Sequence, residues 1–279
     1  MLSESKINTL NKHGIVKLDN FLVSSELEKL KHILKKYSPA KGDKKSYFSQ
    51  NNLLLFFKLL KLNFSRFEEE KYILNLCKNK KLQEDSQKYF NCETKLVMVD
   101  AYFSKKNNDP ILGWHQDVSG NHNVHPNNFS LKFFIYLSKV GSDNGCMSYI
   151  QGSHLICDAI RWGIYERKME FGEYRDLDNF RNFITIKKNY NFLKNYLSQK
   201  IIDNFLDKTA VCSDSAEHEM DYSANPGDAI IFNEKGLHRG SAPKLNDRMV
   251  LRYHFKEKKY ADKNLSINIK NPFHSSIGF

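Results

Sequence analysis

From residue 95 onward the chain is divided into short segments rich in β-branched and aromatic residues, and this pattern limits the fold more than any other feature. Turn-forming residues separate the segments, as in GSDNG at 141–145 and NPGD at 225–228. Several short strands at such spacing are typical of an antiparallel barrel or sandwich. The predicted strands are residues 95–103, 129–137, 146–150, 228–232 and 248–255.

Helical patterns lie in front of these strands. Ser25 and Glu28 have the spacing of a capping box, and apolar residues follow them at helical intervals. This pattern predicts a helix over residues 25–37. Further helix is predicted around residues 53–62 and 67–77.

Residues 158–207 are also predicted to be helical and interrupt the strands. Their apolar stripe, over residues 193–205, has to pack against another surface. The insertion is therefore either a layer on the outside of the barrel or a lid over a site. No internal repeat, low-complexity segment or Gly/Pro/Ser-rich linker divides the chain. We expect its 279 residues to form one domain, 1–279.

Composition argues against several classes of protein. The longest apolar run, residues 53–60, is interrupted by Lys58 and is too short to cross a bilayer. The first residues have neither the basic start nor the apolar stretch of a signal peptide. The five cysteines form no CxxC pair, which disfavours a disulfide framework and a zinc cluster. We expect a cytoplasmic protein with reduced cysteines and no membrane partner.

One triplet carries candidate metal ligands. His115 and Asp117 are two residues apart next to the predicted strands, so in extended backbone their side chains point to the same side. About one His-x-Asp/Glu triplet is expected by chance in a chain with ten His and 32 acidic residues, so the triplet needs context. His238, just beyond the strand predicted at 228–232, supplies a third ligand. Two imidazoles and a carboxylate are the facial triad of Fe(II) oxygenases.

Two further observations bear on the metal and its partner. Zinc could occupy the same three ligands, although zinc sites more often include thiolates or a third histidine. Arg248 follows His238 by ten residues and begins the last strong strand. An arginine there can offer a two-pronged hydrogen bond to a carboxylate, as a dicarboxylic co-substrate requires, or it can belong to a surface ion pair.

Motifs along most of the chain resemble one family in their order. They are HGIV at 13–16 with Phe21-Leu22, WHQD at 114–117, FFIYL at 133–137, DNG at 143–145, QGSH at 151–154, Gly227-Asp228, His238 and Arg248. This ordered series resembles the phytanoyl-CoA dioxygenase (PhyH) family of Fe(II)/2-oxoglutarate-dependent oxygenases. No single motif is as specific as the series.

The resemblance implies a fold and a reaction. The fold would be mainly β with flanking helices (α+β): a double-stranded β-helix barrel, jelly-roll or cupin-like, with an N-terminal helical layer and the helical insertion. The cofactor and co-substrates would be Fe(II), 2-oxoglutarate and O2, with Arg248 anchoring the distal carboxylate. The enzyme would couple oxidative decarboxylation of 2-oxoglutarate to hydroxylation of a C–H bond in its prime substrate. The polar loop at residues 120–128 and the net charge, and not the resemblance, favour a small polar or anionic metabolite. Asp117 follows the hydroxylase pattern, because the family's halogenases carry a small residue there.

Other residues are candidates for binding, each with a structural alternative. Tyr102, Lys132 and Ser241 could contact the co-substrate; the family often has a serine two residues after the distal histidine, where this chain has Gly240. His122, His125 and Arg252 could contact the prime substrate. Alternatively, His122 and His125 belong to a solvated loop and Arg252 to a structural ion pair, although Arg252 shares a strand face with Arg248.

The net charge of +11 leaves competing functions open. It could attract an acidic metabolite, or a nucleic acid if the enzyme is an oxidative demethylase, or it could reflect general solvation of scattered lysines. Nucleic acid is the weaker alternative, because no zinc finger, helix-turn-helix or aromatic-basic stacking motif accompanies the charge. A third alternative is a non-catalytic barrel used for binding. The presence of His115, Asp117, His238 and Arg248 argues against it.

Overall fold

The computed structural model describes residues 2–35, 45–49, 64–108, 112–118, 120–172, 174–210 and 220–261. The helix predicted around residues 53–62 lies outside these ranges. The helices are α1 (Glu4–His13), α2 (Ser24–Lys35), α3 (Phe64–Asn79), α4 (Leu82–Phe90), α5 (Ser153–Tyr165), α6 (Leu177–Thr185), α7 (Lys187–Leu193) and α8 (Gln199–Thr209). The strands are β1 (Ile15–Leu18), β2 (Lys45–Ser49), β3 (Thr94–Ser104), β4 (Leu112–His115), β5 (Leu131–Tyr136), β6 (Met147–Tyr149), β7 (Asp221–Tyr222), β8 (Ala229–Asn233), β9 (His238–Gly240) and β10 (Arg248–Glu257).

The larger sheet contains six antiparallel strands in the order β1-β8-β5-β10-β3-β2. Alternation along its strands divides their side chains between two cores. On β5, Phe133 and Ile135 pack with the N-terminal helices, whereas Phe134 and Tyr136 face the space between the two sheets. Every residue of β5 is buried, because both faces of this strand are covered.

The smaller sheet contains four antiparallel strands in the order β4-β9-β6-β7. Met147 and Tyr149 on β6 face the larger sheet and share its inner core. Trp114 and Leu237 lie on the outer face and pack with the helices of the insertion. Two sheets facing each other, with helices on both outer faces, form the barrel that the strand pattern predicts.

The N-terminal helices begin and end at residues suited to those positions. The Oγ of Ser3 accepts a hydrogen bond from the Lys6 N–H at the start of α1, and Gly14 ends that helix with a φ of 80°. Helix α2 begins at Ser24, one residue before the predicted start at Ser25. The reason is that the Glu26 carboxylate accepts a hydrogen bond from the Val23 N–H, so Glu26 and not Glu28 occupies the capping position.

The insertion consists of α5 to α8 and covers the outer face of the smaller sheet. Leu193 ends α7 and Gln199 begins α8, so the apolar stripe predicted over residues 193–205 spans two helices. Leu193, Phe205 and other apolar side chains of these helices pack in one core with residues of the smaller sheet. Tyr196, between the two helices, is exposed. The insertion is therefore a structural layer on this face of the barrel.

The predicted α+β fold class is confirmed: the chain has two antiparallel sheets with flanking helices, a double-stranded β-helix of jelly-roll type. All five predicted strands are present, and their ends differ by up to two residues. Strands β1, β2, β4, β7 and β9 were not predicted, because each has only two to five residues, too few for a clear strand pattern in the sequence. Among the described residues, no helix is long and apolar enough to cross a membrane.

Leu237 tests whether the insertion and the smaller sheet are stabilised by a shared core. Its side chain is fully buried between them, so Leu237→Ala should lower the free energy of unfolding by about 2–5 kcal/mol. Leu245→Ala is the matched control, because Leu245 is 59% exposed and its truncation should change stability by less than about 0.5 kcal/mol. Chemical denaturation of both variants would measure the difference, and equal effects would contradict the shared core.

Candidate active site

Strand pairing brings His115 and His238 together. His115 ends β4, His238 begins β9, and the two residues are direct partners in the antiparallel register. Their ring centroids lie 4.4 Å apart. Trp114 and Leu237 precede them and point to the outer face, so both imidazoles point into the barrel. There the His238 ring contacts the ring of Phe232, with 5.1 Å between centroids.

Asp117 lies just after β4 and adds a carboxylate to the pair. Its Oδ2 is 3.1 Å from Nε2 of His238, and its Oδ1 is 3.7 Å from Nε2 of His115. Potential ligand atoms of the three residues all lie within 4.8 Å of one another. Such spacing suits a single ion, because metal bonds to imidazole nitrogen and carboxylate oxygen are about 2.0–2.2 Å long.

Each imidazole is oriented through its second nitrogen. Nδ1 of His115 lies 2.7 Å from the Gly113 carbonyl oxygen, and Nδ1 of His238 lies 2.9 Å from that of Gly236. A carbonyl oxygen only accepts hydrogen bonds, so we assign the proton to Nδ1 in both rings. The lone pair of each Nε2 is then directed toward Asp117. Histidines that bind metal ions are commonly held in this way.

The protonation of the site suits a metal ion. Burial, together with the neighbouring His238, lowers the pKa of His115 to about 4, so the ring is neutral at pH 7. Burial alone would raise the pKa of Asp117, but Lys132 and both histidines hold it well below its usual value. Metal ligands must be deprotonated in this manner. No other His, Cys, Asp or Glu of the described chain joins the group, so the donor set fits Fe(II) with one open face.

Arg248 is a buried cation without a described acidic partner. Only 5% of its surface is exposed, and its guanidinium carbon lies 5.5 Å from the ring centroid of Tyr102 and 5.6 Å from that of Tyr136. Within the described ranges, its Nε–H has no hydrogen-bond acceptor and it forms no salt bridge. Gly145 allows this approach, because a Cβ there would lie 2.9 Å from Cδ of Arg248. Burial of an unpaired charge is costly, so this position favours an anionic ligand.

Tyr136 lies beside Arg248 and was not predicted as a site residue. It is fully buried, and its hydroxyl has no partner with good hydrogen-bond geometry among the described residues. A carboxylate bound to Arg248 could also accept a hydrogen bond from this hydroxyl. Strand alternation puts Tyr136 on the same face as Lys132, but only the pairing of β5 with β10 brings it opposite Val250 and so close to Arg248.

Lys132 and Ser241, predicted as possible co-substrate contacts, have partners within the protein. The Lys132 ammonium lies 2.6 Å from Oδ2 of Asp117 and 3.2 Å from Oε2 of Glu234. Burial lowers the pKa of Lys132, but the two carboxylates outweigh this effect and raise it. The hydroxyl of Ser241 donates a hydrogen bond of 3.0 Å to the carbonyl of Cys146. Glu234 was not predicted, since it has no motif and follows β8 as a single acidic residue.

Arg252, a candidate for an inward-facing substrate contact, forms an ion pair. Its Nε donates to Oδ1 of Asp100 at 2.6 Å, and one terminal nitrogen contacts the other oxygen of that carboxylate. Asp100 is opposite Arg252 in the pairing of β3 with β10 and is almost fully buried. The ring of Tyr102 lies between the arginines, with its centroid 5.3 Å from the guanidinium carbon of Arg252. The structural alternative for Arg252 is thus the one observed.

His122 and His125, the other substrate candidates, hold the loop at residues 120–128 against α5. Nδ1 of His122 lies 2.6 Å from the carbonyl oxygen of Ile164. The His125 ring stacks on that of Tyr260 at a centroid distance of 4.7 Å. Neither histidine has a described contact with His115, Asp117 or His238. A substrate role for His122 and His125 remains a prediction, because their described contacts are explained by holding the loop in place.

Comparison with known proteins supports the same class of enzyme. The family profile for phytanoyl-CoA dioxygenase (PhyH) matches residues 10–249. The chain therefore belongs to the phytanoyl-CoA dioxygenase family, and it is an enzyme of the Fe(II)/2-oxoglutarate-dependent oxygenase superfamily. Fe(II), 2-oxoglutarate and O2 fit this family, as the sequence predicted. No curated protein sequence matches the chain.

Several solved structures share the fold. HygX from Streptomyces hygroscopicus, solved with nickel and 2-oxoglutarate, is 14% identical, with a TM-score of 0.55 over 92% of this chain and 88% of HygX. AviO1 from Streptomyces viridochromogenes Tue57 is 14% identical, with a TM-score of 0.53 over 92% and 96%. SnoN, a non-heme α-ketoglutarate-dependent epimerase from nogalamycin biosynthesis, is 12% identical, with a TM-score of 0.53 over 91% and 80%. At these identities the likeness establishes the fold alone.

The three grouped side chains predict a simple metal-binding experiment. The wild-type chain should bind one Fe(II), and His115→Ala, Asp117→Ala and His238→Ala should each abolish binding, because each removes one of three ligands. His32→Ala is a control, since His32 is exposed and lies on α2. Anaerobic equilibrium dialysis with metal analysis would measure occupancy. Full occupancy in any two of the three ligand variants would refute the assignment.

Proposed function

We propose that this enzyme is a dioxygenase that hydroxylates a C–H bond of a small polar metabolite, with His115, Asp117 and His238 as the iron ligands. The main support is the convergence of these three side chains, with both histidine Nδ1 atoms hydrogen-bonded to backbone carbonyls. The same barrel contains Arg248, a buried arginine for which the described residues provide no acidic partner. When bound, Fe(II) supplies the activation of O2 at the expense of 2-oxoglutarate.

Arg248 would bind the distal carboxylate of 2-oxoglutarate. Among the described residues, two other cations that face the interior already have carboxylate partners, Lys132 with Asp117 and Arg252 with Asp100. Arg248 alone among the three has no described acidic partner, and a guanidinium matches a carboxylate in a two-pronged geometry. Tyr136 would donate a further hydrogen bond from its buried hydroxyl. This contact would take the role that Gly240 cannot provide where the family often has a serine.

Two aromatic rings next to the candidate ligands exclude water from the site. The rings of Phe232 and Tyr149 lie 5.1 Å and 6.4 Å from that of His238, and both are fully buried. An apolar wall of this kind limits access of water to the oxidising centre. Asp117 supports hydroxylation over halogenation, because its carboxylate fills the position that a halide would need. SnoN has the same fold and is an epimerase, so the fold alone does not establish that the reaction is a hydroxylation.

The polar character of the substrate rests on His254 and on the loop at residues 120–128. His254 is buried on the inward face of β10, opposite Lys132, and its Nε2 has no hydrogen-bond partner among the described residues. Burial holds the pKa of His254 well below its usual value, so the ring is neutral. A neutral imidazole can exchange a hydrogen bond with a hydroxyl or carbonyl group. HygX, which shares the fold, has also been solved with hygromycin B bound.

The role of Arg248 predicts a specific loss. Arg248→Ala should raise the 2-oxoglutarate concentration needed for half-maximal turnover roughly ten- to a hundredfold, because a charge-assisted hydrogen bond contributes about 1.5–3 kcal/mol. Iron affinity should change far less. Arg167→Ala is the control, since Arg167 is exposed on the surface. Turnover would be measured as O2 consumption at increasing 2-oxoglutarate concentrations. An unchanged half-maximal 2-oxoglutarate concentration in Arg248→Ala would contradict the anchor role.

The proposed substrate class predicts which compounds couple turnover. A panel should compare a neutral acyl chain, a polar neutral metabolite and an anionic metabolite at two salt concentrations, with succinate release and product mass as readouts. We expect polar compounds to couple and the product to gain one oxygen atom. Turnover of the anionic compound should fall with salt, because the charge of +11 attracts anions over a screening length of roughly 8 Å. Coupling by the acyl chain alone, or an isomer of unchanged mass, would contradict the proposal.

A further inference from the structure

Lys132 connects Asp117 to a second buried carboxylate. Its ammonium lies 2.6 Å from Oδ2 of Asp117 and 3.2 Å from Oε2 of Glu234. The side chains of Lys132, Asp117 and Glu234 are only 9%, 20% and 6% exposed. Ion pairs at such depth are weakly screened by water. Truncation of Lys132 would leave two carboxylates facing each other, so this contact differs from an ordinary surface pair.

Glu234 is itself held in place by the backbone. Its Oε1 accepts a hydrogen bond from the Ser130 N–H, and its own N–H donates to the Ser130 carbonyl at 3.2 Å. The carbonyl oxygen of Glu234 accepts a long hydrogen bond of 3.4 Å from the Asp117 N–H. Glu234 therefore joins the start of β5 to the segment that carries Asp117. Because Glu234 is fixed, it also fixes the Lys132 ammonium that lies between the two carboxylates.

We propose that Lys132, held by Glu234, is a positioning residue that keeps Asp117 as a one-oxygen ligand of the metal. The proposal rests on the proposed function. A carboxylate can bind an ion through one oxygen or through both, and two-oxygen binding would occupy an additional position on the ion. The hydrogen bond from Lys132 to Oδ2 opposes the rotation that would direct both oxygens to the ion. It thereby leaves three positions for 2-oxoglutarate and O2.

A neighbouring lysine provides a matched comparison for a purely structural role. Lys235 follows Glu234 directly, its side chain is 7% exposed, and its ammonium forms an ion pair with Asp158 of α5. No described contact joins Lys235 to His115, Asp117 or His238. Lys235→Met therefore removes a buried lysine from an ion pair without removing a contact to a ligand. Its effect on stability should be similar to that of Lys132→Met.

A pair of variants separates positioning from charge alone. Lys132→Met makes the site more negative, and Glu234→Gln makes it less negative. If only the charge near the ion mattered, the first variant would bind Fe(II) more tightly and the second more weakly. If Lys132 positions Asp117, both variants should bind more weakly, because each loosens the hold on the carboxylate. Lys132→Arg keeps the charge and the donor and should retain most of the affinity.

The experiment compares full-length wild type with Lys132→Met, Lys132→Arg, Glu234→Gln and Lys235→Met. Fe(II) affinity is measured by anaerobic competition with a chelator, and the visible d–d spectrum of the Co(II)-loaded proteins reports coordination. Thermal unfolding of the metal-free proteins reports stability. We expect Lys132→Met and Glu234→Gln to lose about tenfold or more in affinity and to shift the Co(II) bands. Lys132→Arg and Lys235→Met should keep the wild-type spectrum.

The outcomes distinguish this proposal from the proposed function. A wild-type chain that binds neither Fe(II) nor Co(II) would overturn both. A wild type that binds metal, with tighter binding and an unchanged spectrum in Lys132→Met, would overturn the positioning role and leave the proposed function intact. A spectral shift in Lys235→Met equal to that in Lys132→Met would also overturn it. If Lys132→Met does not fold, the Co(II) spectrum of Glu234→Gln carries the test, because charge alone predicts its weaker binding but not a shift of the bands. Gln can still accept the hydrogen bond from the Ser130 N–H, so an unchanged spectrum in this variant would overturn the positioning role.

Discussion

The pairing of β4 with β9 determines the site, because it makes His115 and His238 direct cross-strand neighbours. The same alternation that directs these imidazoles into the barrel directs Trp114 and Leu237 outward into the core of the insertion. The two sets of contacts depend on one another. A shift of either strand by one residue would bury the histidines under α5 to α8 and expose the apolar side chains to the barrel interior. The apolar core of the insertion therefore stabilises the register that brings the candidate ligands together.

Buried charge is the second determinant, and two of the cations that face the barrel interior are paired with carboxylates. Asp117 and Glu234 face Lys132, and Asp100 faces Arg252. Arg248 is the inward cation for which the described residues provide no acidic partner. Buried charges are stable when they are paired and hydrogen-bonded, so the unpaired arginine indicates where an anionic ligand completes the interior. The two orphaned donors there, Nε of Arg248 and the hydroxyl of Tyr136, suit a carboxylate.

The parts of the site that lie within one local segment could be predicted from the sequence, whereas the parts created by strand register could not. The spacing of His115 and Asp117 and the position of Arg248 at the start of a strong strand follow from local pattern. The contacts of Lys132 with Asp117, of Arg252 with Asp100 and of Tyr136 with Arg248 join residues from different strands or loops, and no local pattern specifies such pairing. The five predicted strands also follow from a local pattern, β-branched and aromatic residues between turn-forming residues.

The central claim is that one barrel interior binds a metal through three converging side chains and an anion through Arg248. A crystal structure of the chain grown anaerobically with Fe(II) and 2-oxoglutarate, with anomalous data at the iron edge, tests it most directly. We expect a single anomalous peak bonded to Nε2 of His115, Nε2 of His238 and one oxygen of Asp117, with the distal carboxylate of 2-oxoglutarate on Arg248. A metal bound elsewhere, or a co-substrate whose distal carboxylate lies away from Arg248, would contradict it.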